Sequence, residues 1–195
     1  MSASESAKKV IVVTDGDSTA RQVVERVASN IGGRCISMSA GNPTGAPGEE
    51  IVAAIKKAQG SPVLVMVDDG GKKGAGPGER ALAEIARDPG IEIIGAIAVA
   101  AHTGHVEGVP VGASVDRNGK TVAGAVDKEG VPAAADKVQG DTVDILNRLA
   151  VPIIIGLGDL GKMDRADRVE TGARVTTEAV QEIMKRAGIP LEDRG

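Results

Sequence analysis

Five runs of this chain are almost continuously aliphatic, and segments between them repeat their apolar residues at helical spacing. The runs cover 10–14, 34–39, 63–67, 91–100 and 151–157. Strands that read this way are buried on both faces, as parallel strands between two helix layers are. The alternation predicts an α/β fold: a single three-layer domain with a mainly parallel sheet of about five strands and helices on both faces. A chain of 195 residues suits one such domain, taken as 9–195 behind a flexible tail of residues 1–8.

The first helix is the clearest. Ala20, Val23, Val24, Val27, Ala28 and Ile31 share one face, with Asp17 or Ser18 as N-cap and Gly32 as terminator. A second covers 49–58, with Ile51, Ala54, Ile55 and Ala58 inward and two acids in its first turn favouring the helix dipole. A third covers 77–87, a short fourth 142–149, and the last begins near Thr176 and ends at Gly188-Ile-Pro190. One stretch departs from the alternation. Within 106–126, Asn118-Gly119 favours a tight turn between short polar strands, read as a β-hairpin inserted near the crevice.

The chain has no Phe, Tyr or Trp, so its core must be built from small aliphatic side chains. It also lacks the rings on which single-stranded bases stack, and its net charge is −4. General nucleic-acid binding is therefore not expected. Cys35 is the single cysteine, which excludes an intramolecular disulfide and a cysteine-cluster metal site, and it reads as a small buried side chain. The longest apolar stretch, 91–101, contains Glu92 and falls short of the roughly 20 residues a membrane helix needs. Without a signal-like segment, the expected location is cytoplasmic.

Two strands end in acid. Asp15-Gly-Asp17 follows the first and Asp68-Asp69-Gly-Gly the third, and in a parallel sheet both would line the crevice at the carboxyl edge of the strands. Asp15, Asp17, Asp68 and Asp69, with Asp159 at the end of the last strand, are candidate ligands for Mg²⁺, a hard cation that takes carboxylate oxygens. The alternative is structural, with Asp17 capping its helix and Asp15 ordering the turn. The glycine-rich loop 70–78 carries Lys72 and Lys73 and leads to Arg80 at a helix start, a pattern that suits an anion or a simple solvated loop, but it lacks the P-loop ending. Gly156-Leu-Gly158-Asp-Leu-Gly161 matches the dinucleotide fingerprint in letters only, because no apolar helix and no further βαβ unit follow. Gly158 is more simply a place where backbone passes close to the crevice. His102 and His105 offer a ligand or base, or are surface residues. Ser37, Ser39 and Asn42 offer neutral hydrogen bonds, without a nucleophile motif. No complete catalytic set emerges.

Several stretches together carry a resemblance: Val-Thr-Asp15-Gly-Asp17, Gly33-Arg-Cys-Ile-Ser37, Ser39-Ala-Gly-Asn-Pro-Thr44, Gly78-Glu-Arg-Ala-Leu82, Ser114-Val-Asp-Arg-Asn-Gly119, Gly140-Asp-Thr-Val-Asp144 and Gly158-Asp-Leu-Gly-Lys-Met-Asp164. In this order, over about residues 8–188, the chain resembles the soluble stage V sporulation protein AE family of endospore-forming bacteria. The resemblance implies a spore protein working with a membrane system that moves dipicolinic acid into the developing spore and out at germination. It implies transport proteins of the spore inner membrane as partners, a place at that membrane without a span, and no catalytic residues. Around Met163, where the family carries Gly and further Asp, this chain has Arg165 and Arg168.

A more distant likeness is to the toprim fold of topoisomerases and primases, whose glutamate and Asp-x-Asp pair bind Mg²⁺ for phosphoryl chemistry. Here Asp15 stands at the glutamate position and Asp68-Asp69 are adjacent, so their side chains diverge if the strand continues through them. Three readings follow: a non-enzymatic sporulation and germination factor, a Mg²⁺-dependent enzyme, or an anion sensor closing the 70–78 loop. The exposed edges of the hairpin also leave room for a homodimer.

Overall fold

The computed structural model describes residues 6–72, 74–102, 106–161, 163 and 165–191. Its main sheet has seven strands, in the order β2-β3-β1-β4-β9-β6-β7. These are β1 (Lys8–Val13), β2 (Arg34–Cys35), β3 (Val63–Met66), β4 (Ile91–Val99), β6 (Ala113–Val115), β7 (Thr121–Ala123) and β9 (Ile154–Leu157). All neighbours pair in parallel except β6 with β7. A two-stranded antiparallel ribbon joins β5 (Val109–Pro110) to β8 (Lys137–Val138).

Helices α1 (Ser18–Ile31) and α4 (Arg174–Arg186) cover one face, and α2 (Gly48–Lys57) and α3 (Pro77–Arg87) cover the other. The continuous aliphatic runs are explained by this arrangement. In β1, Ile11 and Val13 pack toward α1, whereas Val10 and Val12 pack toward α2 and α3, and all four are fully buried. Beyond α3, the second face of β4 and β9 is covered by Val109, Val111, Ala125 and Val138 of the ribbon region and by Ile145 and Leu146. The absence of aromatic rings is met by close backbone approach. A Cβ at Gly95 would lie 2.5 Å from a methyl of Ile183, so α4 sits directly on β4.

The first helix ends as its sequence predicts: Asp17 accepts from the Ala20 N–H, and Gly32 takes the left-handed conformation with φ 71°. Four expectations change. The second strand stops at Cys35 because Ile36 onward folds into a 3-10 turn at Ser37–Ser39. The last parallel strand pairs only from Ile154. In place of a helix over 142–149 there is a 3-10 turn at Asp144–Asn147. Thr142 is left-handed, and the Asp144 carboxylate is taken by the N–H groups of Glu107 and Gly108. The hairpin is not a separate insertion but part of the main sheet. Its β6 strand lies parallel beside β9, which raises the sheet from about five strands to seven.

The hairpin turn also differs from a two-residue loop. Five residues, 116–120, connect the strands, only Gly119 of the Asn-Gly pair is left-handed, and Asp116 holds the turn by accepting from the N–H groups of Asn118 and Lys120. At the amino end, Lys8 already pairs in β1, while residues 1–5 of the expected tail lie outside the described residues.

Candidate functional site

Strands β1 and β3 are neighbours, but the chain leaves β1 for a helix on one face and leaves β3 for a helix on the other. A crevice opens between carboxyl ends where connections diverge in this way. Asp15 and Asp68 stand on either side of it.

Thr14 follows β1 with its hydroxyl bridging to β4, donating to the Ile97 carbonyl at 3.4 Å and accepting from the Val99 N–H at 3.0 Å. The next residue, Asp15, is half-buried and accepts from the Asp17 N–H at 3.3 Å. Burial, reinforced by the charge of Asp17 and then by those of Asp68 and Asp159, pushes the Asp15 carboxyl up to about 7 against the pull of that N–H. Asp68 is 5% exposed and accepts from Gly70 at 2.7 Å and from Gly16 at 3.3 Å. Burial pushes it up to about 6, the Gly70 N–H works against this, and the charge and hydrogen bond of Asp141 add to the rise. The crevice therefore changes charge close to neutrality.

The loop after the first 3-10 turn closes over these residues. Gly41 donates to the Gly16 carbonyl at 2.6 Å, and Thr44 pairs with Asp68 through both its N–H and its hydroxyl at 2.9 Å. Gly16 is needed here, since a Cβ would lie 2.7 Å from the Gly41 oxygen. On the far side, Gly140 lets the 139–142 segment run against the end of β4, where a Cβ would fall 2.1 Å from the Val99 oxygen. Asp141 then accepts from the Gly71 N–H, and Thr142, a β-branched residue at φ 61°, accepts from the Asp69 N–H at 3.0 Å.

The other acids do different work. Asp17 is the N-cap of α1. Asp69 points away from Asp68, as successive residues of an extended segment do, and accepts from the N–H groups of Gly78 and Glu79 at 2.8 and 3.2 Å, capping α3 from outside it. Asp159 lies close enough to raise Asp15, and also accepts from the Gly161 N–H at 2.9 Å. Asp15, Asp68 and Asp159 are thus brought together with Asp141, whereas Asp17 and Asp69 serve helix termini. Among the described residues no group of three or more His, Cys, Asp and Glu is arranged to hold a metal ion.

The remaining candidates disperse. Ser37 lies in the 3-10 turn beyond β2, on the far edge of the sheet. Ser39 is fully buried and structural, donating to the Ile36 carbonyl and accepting from the Met66 N–H. Asn42 is exposed in the loop beside Gly70 and precedes a cis proline. Lys72 is exposed, Arg80 is exposed with its guanidinium on the Ala75 carbonyl, and Lys73 and His105 lie outside the described residues. His102 is exposed at a cavity of about 520 Å³ between the end of β4 and the 126–139 segment. Gly158 has a packing role, because a Cβ there would meet the Gly130 nitrogen at 2.6 Å. Burial pushes the Cys35 thiol up to about 11, so it is a protonated side chain and not a ready nucleophile.

The stage V sporulation protein AE1 family matches residues 9–187. The chain belongs to this family. It is accordingly a sporulation-related protein. Neither a curated protein nor a solved structure matches it. Four stretches that carry the family resemblance meet at the crevice: 13–17, 39–44, 140–144 and the start of 158–164. Asp141 and Thr142 are the site residues that residue-by-residue reading passes over. Their signal was Gly140-Asp-Thr, a glycine that admits close backbone approach followed by two side chains able to accept from N–H groups. No helix among the described residues is long and apolar enough to cross a membrane.

Proposed function

We propose that this chain is a sporulation and germination factor, a soluble, non-enzymatic accessory protein of the membrane system that moves dipicolinic acid through the spore inner membrane. The observation that carries this reading is the family match over nearly the whole chain. Two structural features support it. The stretches that carry the resemblance converge on a crevice in which burial raises the Asp15 and Asp68 carboxyls toward neutrality. Association with membrane proteins would be peripheral, since no described helix can span a bilayer. The crevice, whose charge changes between about pH 6 and 7, is the surface through which a partner would be engaged.

Capture of the tagged full chain from sporulating cells, with and without cross-linking, tests this reading. The transport proteins of the inner membrane should be enriched, and less so with Asp68→Asn. Failure to enrich any of them overturns the proposal.

The Mg²⁺ reading is carried by a narrower observation, the mutual repulsion of Asp15, Asp68 and Asp159, which a cation would relieve. It fits the donor set poorly, because Asp17 and Asp69 use carboxylate oxygens on helix N–H groups. Calorimetric titration with Mg²⁺ decides it. Heat that disappears in Asp15→Asn would restore a metal-dependent role, and flat titrations remove it.

A further inference from the structure

A second cavity, of about 380 Å³, lies on the α1 side of the carboxyl edge, next to Asp159, whose carboxylate accepts from the N–H of the lining Gly161. It is lined by Thr19, Gln22 and Val23 of α1 and by Leu160, Arg165, Arg168 and Val169 of the loop that follows β9. The loop is seated on the first turn of the helix: a Cβ at Gly161 would lie 3.9 Å from the Thr19 methyl. The volume falls within the range of about 300–1,000 Å³ typical of small-molecule sites.

Its charges are arranged for an anion. Arg165 and Arg168 are both exposed, and among the described residues neither guanidinium is paired with a carboxylate. Asp167 also lines the cavity but is 2% exposed and occupied elsewhere, accepting from the N–H groups of Val175 and Thr176 and from the Thr176 hydroxyl. Glu170, at the rim, is exposed. Arg165 has φ 63°, a conformation an arginine rarely takes. Val23, Leu160 and Val169 supply apolar wall, and Thr19 and Gln22 supply neutral donors. Two guanidiniums, which favour planar two-point contacts to carboxylate or phosphate oxygens, over an apolar wall match a ligand with charged ends and an apolar body.

We infer that the Thr19–Gln22–Arg165–Arg168 cavity binds a small organic dianion bearing carboxylate or phosphate groups. Asp15, Asp68 and Asp141 do not line this cavity, and its occupancy does not depend on membrane docking.

The test is calorimetric titration of the full chain in low-salt buffer with two probes, benzene-1,3-dicarboxylate and inorganic phosphate. At least one should bind, and the one that does identifies the charged group recognised. Its dissociation constant should rise at least tenfold in Arg168→Gln and in Arg165→Gly, and fall in Glu170→Gln, which removes the repelling rim charge. Arg165→Gly is the control for folding, since glycine accepts φ 63° without strain and the variant should melt no lower than the native chain. Arg87→Gln, at an exposed arginine of α3 on the other face of the sheet, removes the same charge and should leave the affinity unchanged. No heat from either probe, affinity in both arginine variants equal to that of the native chain, or an equal loss in Arg87→Gln overturns the assignment.

Discussion

Asp15→Asn isolates the consequence of placing a carboxyl in the crevice. The amide has nearly the same shape and keeps an oxygen to accept the Asp17 N–H at 3.3 Å, so the turn into α1 is preserved. Only the ionisation is lost. In the fold this carboxyl titrates at about 7, against an ordinary value of 3.8. Because the folded value is raised, folding favours the protonated form: its contribution to stability is fully present below 3.8, declines as pH rises and is gone above about 7. At about 1.4 kcal/mol per pH unit, the interval corresponds to about 4 kcal/mol between acid and neutral solution. Asp15 is only half-buried, and solvent screening lowers the figure to roughly 2–4 kcal/mol. The Asn variant should therefore match the native chain near pH 4 and exceed it by roughly 2–4 kcal/mol at pH 8. With a urea m-value of about 2 kcal/mol per molar, the denaturation midpoint at pH 8 should rise by roughly 1–2 M, with an unchanged m-value. Equal midpoints at pH 8, or a gain larger at pH 4 than at pH 8, would refute the argument that burial and like charges raise this carboxyl.

Asp69→Ala should destabilise the protein by about 2 kcal/mol in urea denaturation, because it strips the cap from the N–H groups of Gly78 and Glu79. Gly140→Ala should cost about 3 kcal/mol by the same measurement, since its methyl would fall 2.1 Å from the Val99 oxygen and push the 139–142 segment off the end of β4. Ile183→Ala opens a cavity between α4 and β4 and should cost roughly 2–5 kcal/mol. Arg165→Gly should raise the midpoint by about 1 kcal/mol of stability through relief of the left-handed backbone.

The α1 boundaries were legible because Asp17 and Gly32 are local signals: a side-chain oxygen caps N–H groups within three residues, and a glycine turns the chain left-handed at once. The short helix expected over 142–149 failed for a non-local reason. Asp144 is held by N–H groups 36 and 37 residues away, and the segment gains its burial through Val143, Ile145 and Leu146, three positions too close together to form one helical face. Asp141 could not be placed by reading along the chain, since its partners Asp68 and Gly71 belong to the β3 end. The same holds for Asp69, whose role as a cap for α3 depends on the loop 70–76 folding back over it.

Periodicity in a sequence is a one-dimensional trace of burial. The continuous aliphatic runs and one-faced helices therefore settled the α/β class, the parallel character of the sheet and the position of acids at strand ends. Strand order, and with it the choice of which carboxyls face one another, came only from the packed chain. Adjacent strands β1 and β3 send their connections to opposite faces, and a one-residue alternation turns Asp68 into the crevice and Asp69 out of it. Contacts such as Gly16 to Asp68 and Asp69 to Thr142 join residues 52 and 73 positions apart, and no local propensity records them.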